Sequence, residues 1–120
     1  MDFVKRTWAE ISLDAVTHNF NEIKSKLGNS KICCVIKADG YGHGAVQLAR
    51  IYEQLGADFF AVSNIDEGIE LRDSGLTLPI LILGYTPVFE AERLAQYDIS
   101  QAVFSLDYAR AISERCRNIN

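Results

Sequence analysis

Four runs rich in apolar residues, at positions 32–36, 58–62, 78–83 and 102–104, recur along the chain, and each is followed by a stretch with helical spacing. Continuous apolar runs, rather than alternating ones, mark strands covered on both faces, the usual condition of a parallel sheet. A parallel strand requires a long crossover before its neighbour can start, and a strand plus a helix every ~20 to 30 residues provides one. The pattern therefore predicts an α/β fold with a parallel sheet, built from four successive βα units. It does not separate a closed barrel from a doubly wound sheet. Gly40, Gly42 and Gly44 are spaced two apart, however, which is not the Gly-x-Gly-x-x-Gly of a dinucleotide-binding turn.

The helices carry their own punctuation. Leu13, Val16, Phe20, Ile23 and Leu27 fall on one face behind Ser12 as N-cap, with Asp14 in the first turn and Gly28 past the end. His18 lies off that stripe with no ligand partner at i+4, so it is expected in solvent and not on a metal. Val46, Ala49, Tyr52 and Leu55 define a helix over 45–55 that Gly56 closes. Ser63 and Asn64 both offer N-caps, with Asp66 and Glu67 in the matching capping-box positions, for a helix ending near Gly75. Thr86 and Pro87 start another helix with Pro87 at its first position, and Ser105 caps a last one running through Cys116. Residues 3–11, with Trp8 among them, carry β-favouring side chains and read as an N-terminal strand.

The first apolar run ends unlike the others. Ile36 gives way directly to Lys37, and the loop that follows sets Tyr41 and His43 among three glycines. Parallel α/β proteins place their chemistry at the C-terminal ends of strands, so a lysine there is a better candidate for work than one on a helix face. Desolvation at that position favours the free amine, the form that a Schiff-base lysine needs. The plainer reading has Lys37 extending to solvent and pairing with Asp39. Taken alone, the glycines would make the loop a phosphate cup, since they permit close backbone approach just before a helix start at Ala45.

Charge and cysteine content narrow the partners. With 12 basic against 16 acidic residues the net charge is −4, and no basic cluster offers a footprint for nucleic acid or anionic lipid. No apolar run approaches the roughly 20 residues that a bilayer requires, and the N-terminus lacks the apolar segment of a signal peptide. Cys33, Cys34 and Cys116 form neither a disulfide framework nor a zinc spacing. They are expected as small buried apolar residues in a reducing, cytoplasmic setting.

The string Val35-Ile36-Lys37-Ala38-Asp39-Gly40-Tyr41-Gly42-His43-Gly44 closely resembles the pyridoxal-phosphate motif of the alanine racemase family. Thr7-Trp8-Ala9-Glu10-Ile11-Ser12-Leu13-Asp14 resembles that family's N-terminal strand and helix start, and Pro79-Ile80-Leu81-Ile82-Leu83-Gly84 resembles its third barrel strand. The resemblance implies the first four βα units of a TIM-type (β/α)8 barrel, preceded by an N-terminal strand and helix. Family members are much longer, a barrel followed by a β domain, so residues 1–120 are expected to be the N-terminal portion of such a barrel. The implied function is racemisation of a small amino acid, L-alanine to D-alanine for peptidoglycan precursors, by a homodimer using pyridoxal 5'-phosphate.

In that resemblance Lys37 is both the catalytic residue and the cofactor's attachment point, carrying it as an internal aldimine. Tyr41 binds the cofactor phosphate through its hydroxyl, and Leu83 either borders the cofactor or is an ordinary core leucine. Most phosphate contacts fall to later strands, which leaves Gly42 and Gly44 to shape the turn and His43 a structural role. The family's second base, a tyrosine from the β domain of a partner subunit, has no counterpart here, and its arginine facing the cofactor ring lies beyond Asn120. Asp39-Gly40 departs from the commoner Asn-Ala or Asp-Ala, which leaves alanine, serine and broader substrates open. Alternative readings are a non-catalytic pyridoxal-phosphate homeostasis barrel, a decarboxylase of the same barrel type and a serine-preferring racemase.

Overall fold

A computed structural model describes residues 7–119. Four strands, β1 (Cys33–Val35), β2 (Phe59–Val62), β3 (Ile80–Ile82) and β4 (Ile99–Gln101), form one sheet in the order β1-β2-β3-β4. Every pairing is parallel. Helices α1 (Leu13–Ser25), α3 (Ala45–Leu55), α4 (Ile65–Asp73), α5 (Ala91–Gln96) and α6 (Leu106–Arg117) accompany the strands, and the short α2 (Lys37–Tyr41) follows β1 directly. Strand order thus equals chain order, each strand pairing with the next along the chain.

The register divides the side chains between two faces. Cys34 lies beside Phe60, Phe60 beside Ile80, and Ile80 beside Ile99, so one row of apolar side chains crosses the sheet. Ile36, Val62 and Ile82 continue the same face, and all of these residues are buried in a core shared with Leu48, Ala49, Leu71 and Leu94 of the helices. The opposite face differs from the expectation of strands covered on both sides. Val35 and Leu83 are exposed there, and Ser100 beside Leu81 is exposed as well.

Local chemistry explains most element boundaries. Ser12 caps α1 by accepting the Ala15 N–H at 3.2 Å, and Ser105 caps α6 by accepting that of Tyr108 at 3.1 Å. Gly56 ends α3 in the left-handed conformation, φ 87°, as a C-terminal glycine can without strain. Phe20 of α1 stacks on Tyr52 of α3 with ring centres 5.4 Å apart, which joins the first helix to the helix layer. Arg72 of α4 ties the starts of two strands together. Its guanidinium donates to the carbonyls of Leu76 (3.0 Å), Leu78 (2.7 Å), Tyr97 (2.9 Å) and Asp98 (2.8 Å).

Several expectations need correction. The fourth strand is Ile99–Gln101, not 102–104, because Asp98 turns the chain with φ 50° and Ile99 drops into register beside Ile80. Val103 and Phe104 are left exposed. Ser100 and Gln101 masked this strand in the sequence. Pro87 does not open an α-helix: it is extended, with ψ 142°, and a 3-10 turn over Val88–Glu90 intervenes before α5. Of the two offered caps, Asn64 is the one used, accepting the Glu67 N–H at 3.0 Å, while Asp66 pairs with Arg93 at 3.0 Å. Residues 7–11 form no strand, since a strand exists only through a paired neighbour, and Trp8 is exposed. The expected strand's residues 3–6 lie outside the described residues. Cys34 is buried as expected, but Cys116 is exposed.

Candidate active site

Lys37 leaves β1 at the C-terminal end of the sheet. Ile36, just before it, is buried, and its N–H donates to the Ala61 carbonyl of β2 at 2.9 Å, so the strand is fixed up to the lysine. The extended backbone ends at Ile36, with ψ 22°, so Lys37 opens the short α2 and does not continue the alternation of the strand. Lys37 is half-buried, and its Nζ lies over the Tyr41 ring, 5.9 Å from the centre. That is within the range where the negative face of an aromatic ring attracts a cation. The pairing with Asp39 in the plainer reading does not form: Asp39 Oδ1 instead accepts the Ala45 N–H at 2.8 Å and caps α3 from six residues upstream.

The backbone after Lys37 winds the wrong way for L-amino acids. Five consecutive residues, Ala38 (φ 50°), Asp39 (φ 53°), Gly40 (φ 61°), Tyr41 (φ 56°) and Gly42 (φ 84°), are left-handed. Each non-glycine among them costs about 1–2 kcal/mol relative to a right-handed turn. Hydrogen bonds hold the turn together: Gly40 N–H to the Ile36 carbonyl (2.9 Å), Gly42 N–H to that of Ala38 (3.1 Å) and Gly44 N–H to that of Asp39 (2.9 Å). His43 closes it with Nδ1, which lies 3.0 Å from the Gly40 carbonyl and 3.2 Å from the Tyr41 carbonyl. Both neighbours can only accept, so Nδ1 carries the proton, and His43 has the structural role expected of it. Gly40 is buried where a Cβ would lie 2.8 Å from Leu48 Cδ1.

Sequence reasoning gave the positive φ to the glycines and missed that Ala38, Asp39 and Tyr41 share it. It also took Glu67 for a local helix cap. Glu67 Oε2 accepts the Ser63 N–H at 2.7 Å, but Oε1 crosses from α4 to accept the Ala38 N–H at 2.9 Å. The capping-box spacing was the available signal, yet it named the wrong donor.

The turn directs Tyr41 outward, with 60% of its surface exposed. Leu83 stands two strands from β1, roughly 10 Å across the sheet at ordinary strand spacing, and is also exposed. The structure therefore brings Lys37 and Tyr41 together, while Leu83 lies at the end of β3 and not against them. A primary amine and a phenol side by side are a donor set suited to an aldehyde bearing an anionic group, the amine for the carbonyl and the hydroxyl for the anion. A groove of about 610 Å³ opens beside this site along the β1 edge, lined by Phe20, Cys34, Tyr52 and Tyr41 but not by Lys37.

Residues 11–120 match the family model of the alanine racemase N-terminal domain. The chain belongs to the alanine racemase family. The parallel α/β fold accordingly matches the first βα units of alanine racemase barrels, as the motif around Lys37 implied. An alanine racemase of Caldanaerobacter subterraneus subsp. tengcongensis is 45% identical over 114 residues, covering 94% of this chain and 29% of the relative. The structure of the alanine racemase of Clostridium difficile 630 aligns with a TM-score of 0.89 at 48% identity, over 97% of this chain and 31% of that one. A histidine racemase from Leuconostoc mesenteroides subsp. sake aligns with a TM-score of 0.80 at 31% identity, over 88% of this chain and 28% of that one. The chain thus spans about 30% of the length of these racemases.

Proposed function

We propose that the complete protein racemises a small amino acid, L-alanine to D-alanine for peptidoglycan precursors, as a cytoplasmic homodimer using pyridoxal 5'-phosphate. Residues 1–120 are then the N-terminal portion of its barrel domain. The observation that carries this reading is the amine of Lys37 set 5.9 Å from the Tyr41 ring centre at the C-terminal end of a parallel sheet, in a chain of the alanine racemase family. When bound, the cofactor supplies an electron sink for the carbanion left by loss of an amino acid's α-proton.

Lys37 would hold the cofactor through Nζ, and its free amine would take or give a proton at that atom. The Tyr41 hydroxyl would donate to an anionic phosphate oxygen of the cofactor, and its ring borders the lysine amine. Leu83 and Val35 belong to the exposed apolar face of the sheet at this end. Racemisation needs proton transfer on both faces of a planar carbon, so Lys37 serves one face and a base outside residues 1–120 serves the other.

Borohydride reduction of the complete protein followed by peptide mapping is the test. The pyridoxyl group is expected on Lys37, and its appearance on another lysine would overturn the reading. Lys37→Ala should abolish racemisation, and Lys37→Arg should do the same because a guanidinium keeps the charge but cannot form the imine. A histidine racemase shares this part of the fold, so side-chain selection needs its own measurement: turnover of alanine, serine and histidine compared side by side.

A further inference from the structure

We propose that Glu67 is a positioning residue for Lys37, its carboxylate holding the peptide that follows the lysine and so fixing the direction in which Nζ leaves the sheet. The inference rests on the reading of Lys37 as the cofactor-carrying amine. Glu67 is the third residue of α4, where a capping-box glutamate turns back to the N–H of the N-cap residue. Here Oε2 takes the N–H of Ser63, one residue before the cap, at 2.7 Å, and Oε1 is free to reach Ala38 at 2.9 Å. One carboxylate thereby joins the C-terminal ends of β1 and β2.

The bond falls where the backbone changes hand. At Ile36 φ is −124°, and at Ala38 it is +50°, a conformation that an alanine keeps only when its surroundings hold it there. Lys37 is consequently fixed on both flanks, by the Ile36 N–H on the Ala61 carbonyl and by the Ala38 N–H on Glu67. Hydrogen bonds to an ionised acceptor are about twice as strong as neutral ones. Without the carboxylate, Ala38 can relax to negative φ, which rotates the Lys37–Ala38 peptide and carries Tyr41 away from the amine. The far end of the clamp is itself closely packed. Gly84 packs so closely on the Ser63 carbonyl that a Cβ there would collide with it.

Glu53 provides a matched control. Its carboxylate also accepts two backbone N–H groups, from Thr77 (2.9 Å) and Leu78 (3.0 Å), but ahead of β3 at the opposite end of the sheet. The experiment compares Glu67→Ala, Glu67→Gln and Glu53→Ala in the complete protein stripped of cofactor. Amide hydrogen exchange across residues 37–45 is measured first, then acetic anhydride labelling of Lys37 relative to exposed Lys31. Glu67→Ala should speed exchange at the Ala38 amide about tenfold or more and change Lys37 labelling severalfold. Glu67→Gln, with one carbonyl oxygen left for two amides, should fall between, and it carries the comparison if the alanine variant does not fold. Glu53→Ala should lower the melting temperature while leaving both readouts at wild-type values. Unchanged exchange and labelling in the Glu67 variants, or equal changes in Glu53→Ala, would overturn the proposal. A pyridoxyl group found on another lysine after borohydride reduction of the wild type would sink the cofactor reading instead, while the labelling would still decide whether Glu67 orients Lys37.

Discussion

At the scale of single residues, the site is held by strain that neighbouring groups enforce. Ala38, Asp39 and Tyr41 adopt left-handed φ although none is glycine, and the cost of about 1–2 kcal/mol each is offset by the hydrogen bonds that close the turn and by the Ala38 N–H on Glu67. The reward is orientation: the turn folds Tyr41 back beneath the amine of the residue four before it. Tyr41→Phe tests what the hydroxyl does. The ring, and with it the contact to Lys37, remains, so the fold should be unchanged. Cofactor affinity of the complete protein should fall by about 1.5–3 kcal/mol, the value of a hydrogen bond to a charged acceptor. Equilibrium dialysis against pyridoxal 5'-phosphate measures it, and an unchanged dissociation constant would return Tyr41 to a packing role.

At the scale of elements, the ends of the strands are fixed by polar side chains reaching over from helices. Arg72 and Glu53 do this at the N-terminal ends and Glu67 at the C-terminal ends, while Asp39 fixes the start of α3. Burial works against the charge on Glu53, but the Thr77 N–H and hydroxyl, the Leu78 N–H and nearby Arg72 outweigh it and hold its carboxyl below the ordinary value of 4.5. A carboxyl depressed in the folded state stabilises the fold above its unfolded pKa, and that contribution is lost as pH falls through the folded value. Glu53→Gln should therefore be less stable than wild type at neutral pH, and the gap should close as pH drops below 4.5. Urea titrations at stepped pH values read this directly; a gap constant across that window would assign Glu53 no electrostatic part. Cys34 is the opposite case. Burial first, then Cys33 and Asp58, push its thiol up to about 11, in keeping with the sequence reading of an inert core cysteine.

At the scale of the whole molecule, β1 and β4 pair on one side only within this sheet, and the face bearing Val35 and Leu83 is open. Exposed strand edges and an exposed apolar sheet face favour association. The 120-residue chain expressed by itself is expected to self-associate or to unfold at low denaturant, and to show no alanine racemisation above background with added pyridoxal 5'-phosphate. Sedimentation and a coupled D-alanine assay check both parts. A stable monomer that racemises alanine would mean that residues 1–120 contain both bases.

Residue order alone determined the parallel α/β class, the helix over 45–55 to the residue, the caps at Ser12 and Ser105, and the place of Lys37 at a strand end. These are local properties: apolar runs, cap oxygens and glycines act within a few positions of where they are written. The fourth strand was misplaced because register is a contact between distant residues, and Ile99 finds Ile80 only across the folded sheet. The left-handed turn was illegible for the same reason. Nothing within Ala38-Asp39-Gly40-Tyr41 dictates its hand, which is maintained from outside by Glu67, 29 residues away in the chain, and by the α3 amide that Asp39 caps. Tertiary structure alone brought that carboxylate to the peptide after Lys37, because hydrogen bonding depends on distance in space, and the fold sets that distance only when β1 and β2 lie side by side.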